Sequence, residues 1–361
     1  MRLKILLEHS KIRDFMKYSS SYLELCFIEN GLYLVSSSSD MSVIQEVIIS
    51  QLEGDLVSLR FPDYLLKNLK DETMLDIVTS GRDVSFTFIN QKGEPSYTLE
   101  LANQVSVIDT SIMYKYLKTL NEYEKYSMSK NTELIRSLSK MNTDIICLDG
   151  KLYGIYYRSY LFKKAKLPNF MVNATLLYKS LEISTDVIFA GKYIIVQNSY
   201  LTVFVNKLRV PLYCDLDYVS KFRSHMKFSF NGNALNNLVS KLGFSREGNY
   251  ILDLDKKTLS VDENSKRLSV MLKIDIDDYF DSSKIDVEAL MKNLSSSSVN
   301  MEDFEKPKLN IPSWILAYNL FSGTVECQLS DNFIVAKLEK FKILFPRGEV
   351  KYEKGPNEIE D

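Results

Sequence analysis

Two histidines, four cysteines and one aspartate cluster are the residues of this 361-residue chain best equipped for chemistry. His9 and His225 could each bind a metal or move a proton, but neither has a cysteine or a second histidine at metal-ligand spacing. Both read as surface or helix-end residues. Cys26, Cys147, Cys214 and Cys327 stand far apart beside strand-like neighbours, the pattern of buried free thiols in a reducing compartment. The segment "KIDIDDYFD", Lys273 to Asp281, gathers four aspartates of the kind a metal-dependent nuclease uses. Strand alternation sets Asp275 and Asp277 on one face and Ile274 and Ile276 on the other, as in a half-buried strand end. No phosphate-binding glycine loop, dinucleotide fingerprint, GxSxG elbow or HExxH pair occurs. The expectation is a non-catalytic protein with no metal and no cofactor. A nuclease built on Asp275 and Asp277 is the enzymatic alternative.

Composition narrows the classes further. Hydrophobic residues make up 45% and charged residues 25%, as in ordinary globular chains, and the length predicts two or three domains. No apolar run approaches the roughly 20 residues of a membrane helix. In "MRLKILLEHSKIRDF" charge interrupts the apolar run too early for a signal peptide, so a cytoplasmic protein is expected. A net charge of −2 excludes a general polycation; contact with DNA requires basic groups gathered on one surface. Most of the 22 tyrosines lie inside apolar strands, which does not argue for stacking on single strands.

The elements follow a hidden repeat of strand, helix and three strands. The clearest copy is Asn169 to Leu208: a short strand, a helix of about three turns capped at Asn173 or Thr175, then "DVIFAG", "YIIVQN" and "LTVFVN". Leu176, Leu177, Leu181 and Ile183 give that helix its apolar face. The same order fits Arg2 to Ile49 and Leu56 to Ala102. It fits a third copy built on helix "NTELIRSLSKMN", a fifth on "NALNNLVSKLG" and a sixth on "SWILAYNLFSG". The fifth closes on one long strand, "RLSVMLKIDI". Each helix must lay its stripe on a sheet, because neither can bury its apolar face alone. The fold class is therefore α+β, with paired repeats making three domains at 1–110, 111–214 and 215–347 and an acidic flexible tail at 348–361. Between repeats, Val105 to Lys130 holds an extra helix, "TSIMYKYLKTLNEYEKY", and Pro211 to Ser224 is a linker. Asp277 to Lys306 is an insertion whose "SSSS" reads as a loop, whereas Ser36 to Ser39 lie where a strand meets a turn.

Three domains, each a doubled βαβββ unit, resemble the DNA polymerase sliding clamps, above all the bacterial β-clamp type, phage-encoded members included. "ILFPR", Ile343 to Arg347, looks like the apolar-apolar-Pro ending of β clamps, and "DYVSKF", Asp217 to Phe222, resembles the segment entering their third domain. The chain runs fourteen residues past the usual ending. The resemblance implies the DNA-clamp fold, a head-to-tail homodimeric ring around double-stranded DNA, and tethering of a DNA polymerase after delivery by a clamp loader. A ring holds DNA by topology and reads no sequence, as sliding requires. The alternative is a clamp-like scaffold that recruits proteins without encircling DNA.

In such a ring the helices face the DNA. The expected contacts are Lys11, Arg13, Lys17, Lys67, Lys70, Arg136, Lys140, Lys179 and Lys241. With six acids on the same segments the helices carry +3 (nine minus six), against −5 for the rest. "SWILAYNLFSG" has no charge, a departure from that pattern, and "FKKAK" with Lys163, Lys164 and Lys166 is a basic cluster on a strand and loop. The resemblance also implies a pocket for a partner's apolar peptide, carried onto Tyr156, Arg158, Leu161, Phe222, Arg223, Ile343, Leu344, Phe345 and Pro346. Alternation puts Ile343 and Phe345 on one face and Leu344 on the other.

Overall fold

Short alternating strands dominate the molecule, and amphipathic helices cover their apolar faces. The computed structural model describes residues 1–20, 23–28, 31–54, 58–67, 69, 73–90, 92–102, 108, 110–211, 226–242, 249–263, 266–271, 274–277, 308–330 and 333–347. The first repeat is β1 (Arg2–Leu7), α1 (His9–Tyr18), β2 (Leu23–Ile28), β3 (Gly31–Ser37) and β4 (Met41–Glu53). The second is β5 (Ser58–Arg60), α2 (Asp63–Lys67), β6 (Thr73–Ser80), β7 (Asp83–Ile89) and β8 (Pro95–Ala102). The connector helix α3 (Ser111–Thr119) leads to the third: β9 (Lys125–Ser127), α4 (Thr132–Lys140), β10 (Asp144–Leu148), β11 (Lys151–Tyr156) and β12 (Ser159–Lys164). The fourth is β13 (Phe170–Asn173), α5 (Ala174–Ser180), β14 (Asp186–Ala190), β15 (Tyr193–Gln197) and β16 (Leu201–Asn206). The fifth is β17 (Met226–Asn231), α6 (Gly232–Leu242), β18 (Asn249–Asp253), β19 (Thr258–Glu263) and β20 (Lys266–Met271), followed by β21 (Ile274–Asp277). The sixth is β22 (Lys308–Ile311), α7 (Ser313–Ala317), β23 (Thr324–Leu329), β24 (Phe333–Lys337) and β25 (Lys342–Pro346). The repeated order read from sequence is thus present six times.

Three elements differ from expectation. The helix of the fourth repeat has 7 residues, two turns rather than three. Asn173 caps it, its Oδ1 accepting from the N–H groups of Thr175 at 3.0 Å and Leu176 at 3.2 Å. The sixth helix has 5 residues, because Asn319 takes a left-handed φ of 52° and turns the chain. The fifth repeat's long closing strand is two strands, β20 and β21, on different sheets.

The chain separates into two compact units, Met1–Thr132 with Leu167–Val210, and Glu133–Lys166 with Pro211–Asp361. The first unit holds one sheet in the order β8-β7-β6-β1-β4-β16-β15-β14-β9, with β3, β2 and β5 branching from β4. The 13-residue β4 makes the branch possible. Its first half pairs with β16 and its last residues pair with β1. Alternation along β1 buries Leu3, Ile5 and Leu7 under the helices. On the opposite face, Ile44 and Phe204 pack with Ile188, Ile195 and Val35 beneath Met113 of α3 and Leu120. The connector helix is therefore part of the wall of this unit.

The second unit has a sheet that includes the run β10-β11-β12-β25-β24-β23-β17-β21, and another in the order β20-β19-β18-β22. β21 stands beside β17 as the end of β4 stands beside β1, so the divided strand serves two neighbours as β4 does. Gly154 on β11 lies under Leu138 of α4, where an added Cβ would collide with that side chain and with the carbonyl of Asp144.

Candidate nucleic-acid and partner-peptide surfaces

In the first unit α1 lies between α2 and α5. Its apolar stripe of Ile12, Phe15 and Tyr18 is buried, and it touches α2, β4 and β16. The Tyr18 hydroxyl donates to the carbonyl of Lys179 on α5 at 3.3 Å, and the Lys179 ammonium lies 5.6 Å from the centre of the Tyr18 ring. Burial pushes the Tyr18 phenol up to about 12. From the β15–β16 turn, Tyr200 donates its hydroxyl to Asp14 Oδ2 at 2.7 Å, and Lys11 lies 5.7 Å from the centre of the Tyr200 ring. The Tyr200 hydrogen bond, aided by Lys17, holds the Asp14 carboxyl below its ordinary range. The fold thus brings Lys11, Arg13, Lys17, Lys67 and Lys179 onto three neighbouring helices.

Their charge is partly answered on the spot. Lys11 pairs with Glu8 at 2.7 Å, Lys17 with Asp14 at 3.1 Å and Lys67 with Asp63 at 2.5 Å. Such pairs at or near the surface hold by about 1 kcal/mol or less, so they oppose contact with a phosphate only weakly. Arg13 is exposed and makes no ion pair among the described residues. In the second unit Arg136 and Lys140 are exposed, four residues apart on α4 and so on one side of it. Lys70 and the side chain of Lys241 lie outside the described residues. α7 carries no charge.

The expected peptide pocket falls partly on well-defined strands. Leu161 on β12 stands directly across from Ile343 on β25, and Tyr160 across from Leu344. Ile343 and Leu344 are 0% exposed and Phe345 2%, so both faces of this strand are covered. Pro346 is half-exposed and Arg158 exposed. Phe222 and Arg223 lie outside the described residues. The β11–β12 turn is formed by Tyr157 and Arg158, both left-handed with φ of 45° and 59°. A two-residue hairpin needs that geometry, but non-glycine residues adopt it at a cost.

Sequence reasoning missed what surrounds Tyr156. Its ring lies edge-on to Tyr157 at 4.5 Å, to Trp314 at 5.2 Å and to Tyr318 at 6.0 Å. Burial, then the hydrogen bond with Tyr318, pushes its phenol up to about 12. Tyr157 itself is 76% exposed. The available signal was the uncharged sixth helix, which supplies the chain's one tryptophan in place of a basic face. Also missed was a cavity of about 270 Å³ at the end of the first unit's sheet. Leu59, Phe61, Val84, Phe86 and Leu101 line it, with Arg60 and Asp63 at its polar side.

Among the described residues, those suited to catalysis do not assemble. No group of three metal-ligating side chains occurs among the described residues. Asp275 and Asp277 stand across from Ser229 and Lys227 on β17. Cys26, Cys147 and Cys327 are buried free thiols, and burial pushes Cys26 and Cys147 up to about 12. Cys214 and His225 lie outside the described residues; His9 opens α1 and is half-exposed. No helix among the described residues is long and apolar enough to cross a membrane.

Six βαβββ repeats arranged in this way constitute the fold of the DNA sliding clamps. Solved structures of that fold match the chain along nearly its whole length. The β sliding clamp of C. crescentus superposes with a TM-score of 0.66 at 12% identity, over 97% of this chain and 99% of that one. A DNA polymerase sliding clamp from Pseudomonas aeruginosa gives 0.64 at 11%, over 96% and 100%. The DNA polymerase III β subunit of Thermotoga maritima gives 0.60 at 9%, over 96% and 100%. No protein-family model and no curated protein matches the chain.

Proposed function

We propose that this chain is a DNA sliding clamp of the bacterial β type, a non-catalytic ring that encircles duplex DNA and tethers a polymerase. The whole-length likeness in fold to sliding clamps carries this reading. Three doubled units, 1–110, 111–214 and 215–347, form one protomer, and sheets continue from one to the next. The pairings of β4 with β16 and of β12 with β25 support that arrangement.

The same pairing logic supports a head-to-tail dimer. β4 and β12 each take a strand from a later repeat, but among the described residues their counterpart β20 ends its sheet, as β8 ends the sheet of the first unit. With 8 and 6 residues, β8 and β20 are the longest terminal strands of these sheets. Long open edges invite pairing unless a partner covers them. Joining β8 of one copy to β20 of the next closes both edges, and repeating the contact closes a two-fold ring. The open layer at β8 fits a buried contact: Tyr97 is 47% exposed while stacked on Phe88 at 4.3 Å. The adjacent cavity, with Leu101 in its wall, offers room to a partner's apolar side chain.

Within that ring Lys11, Arg13, Lys17, Lys67, Lys70, Arg136, Lys140, Lys179 and Lys241 contact phosphates. The partner peptide docks beside Tyr156, Arg158 and Pro346, with the buried Leu161 and Ile343 to Phe345 as the floor beneath them; the clamp resemblance adds Phe222 and Arg223. The short ring distance from Tyr156 to Trp314 provides a direct test. Titrating the protein with apolar peptides taken from the C-terminal regions of replicative polymerases should change Trp314 fluorescence. Arg158→Ala should weaken the response. Peptide binding with unchanged Trp314 emission and no Arg158 dependence would contradict this placement.

A further inference from the structure

Lysines that no helix carries gather at one end of the main sheet of the second unit. Lys151 opens β11 and stands directly across from Lys164, the last residue of β12. Lys163 precedes Lys164 and Lys166 follows it. Between them the Ala165 N–H donates to the Gly150 carbonyl at 2.9 Å and ties the two strand ends together. Lys342 opens β25 opposite Phe162. Lys340 sits in the β24–β25 turn, where the Leu338 N–H donates to the Phe341 carbonyl at 3.0 Å. The described acids at this end are Asp149 and Glu339, which leaves +4 (six lysines minus two acids). Neighbouring Lys337 is cancelled by Glu326 at 2.6 Å.

Sheet pairing does not favour this arrangement. Like charges directly opposite one another weaken a sheet. Lysines protect edge strands from aggregation, but β11, β12 and β25 are flanked by strands on both sides. Lys164, Lys166, Lys340 and Lys342 are exposed and make no ion pair among the described residues. By contrast, Lys11, Lys17 and Lys67 on the helices each hold an acid.

We propose that this lysine end is a second, sequence-independent contact for the phosphate backbone of a nucleic acid. The planar fork of arginine suits carboxylates and phosphates held in one fixed geometry, and no arginine lies in this cluster. Lysine acts as a point charge on a flexible stem, which suits phosphates met in no fixed register. The contact goes beyond the clamp reading, since strand ends supply it rather than helices. It holds DNA that does not pass through the ring.

The test uses the full chain and two labelled DNAs: a single strand of about 20 nucleotides, and a duplex closed at both ends by hairpin loops, which cannot thread a closed ring. Anisotropy is followed across salt for the natural protein and for Lys164→Gln, Lys166→Gln, Lys340→Gln and Lys342→Gln combined. The natural protein should bind at least one of the two DNAs. Each single-strand phosphate contact adds about 0.7 to the log–log salt slope, so losing four should lower it by about 3. Native mass should not change. Preference for the single strand or the closed duplex identifies which backbone the site takes, and lysine-dependent binding of either supports the proposal. Equal binding by natural and variant proteins overturns it. So does binding of a polyglutamate peptide with no binding of either DNA. Retention on circular DNA reports the clamp reading separately, so failure of one reading is distinguishable from failure of the other.

Discussion

At the scale of single residues, the charged helix face is held by contacts that span the sequence. Asp14 and Tyr200 are 186 residues apart, and Tyr18 and Lys179 are 161 apart. No local pattern in the chain announces either pair. Tyr200→Phe removes the donor to a carboxylate, so the Asp14 pKa should rise toward the ordinary value, read by NMR titration. The sign follows from linkage. A carboxyl whose folded pKa is depressed adds stability above its unfolded pKa and loses it as pH falls through the folded one. The variant should therefore lose stability at neutral pH, by about 1 kcal/mol or less at this half-exposed site, and the difference should vanish in acid. The thiols make a second residue-scale test. Cys26, Cys147 and Cys327 are buried, with Cys26 and Cys147 pushed up to about 12, so at neutral pH a disulfide reagent should modify them only after unfolding. Rapid labelling of any of the three in the native protein would contradict their placement.

At the scale of elements, alternation and turn residues made the repeat legible, while the reach of each element was less so. The strands of β1, β7 and β22 read directly, because buried and exposed residues alternate along them. Helix lengths did not. The apolar residues Leu181 and Ile183 continue the stripe beyond the end of α5 at Ser180, so periodicity alone overextends the helix. The pairing of strands from distant repeats leaves no local trace, and so both the division of the fifth repeat's last strand and the burial of Leu344 on the second face of β25 went unread. The aromatic cluster around Tyr156 was hidden for the same reason, since Trp314 and Tyr318 come from another repeat. Close packing of helix on strand gives an element-scale prediction. Gly154→Ala forces a methyl group against Leu138 and should cost about 1–3 kcal/mol, read as a lower urea midpoint with an unchanged slope. At the other unit's edge, Tyr97→Asp places a charge in the contact proposed between β8 and β20. The expected product is a folded monomer by native mass spectrometry; a dimer as stable as the natural protein's would contradict that pairing.

At the scale of the whole molecule, repetition explains how a chain of net charge −2 could hold DNA. Every repeat presents a helix over a sheet, so in the proposed ring the net basic charge of the helices taken together would gather around the hole, and topology would supply the retention that affinity does not. Replacing Lys11, Arg13 and Lys17 together with alanine should reduce loading and processive synthesis severalfold while the dimer persists. The most direct test of the central claim is retention on nicked circular DNA after loading by the cognate clamp loader. The ring reading predicts that the protein stays on the circle through a gel-filtration column and is lost within minutes once a restriction enzyme linearises the DNA. Equal retention on circular and linear forms, or none on either, would contradict it.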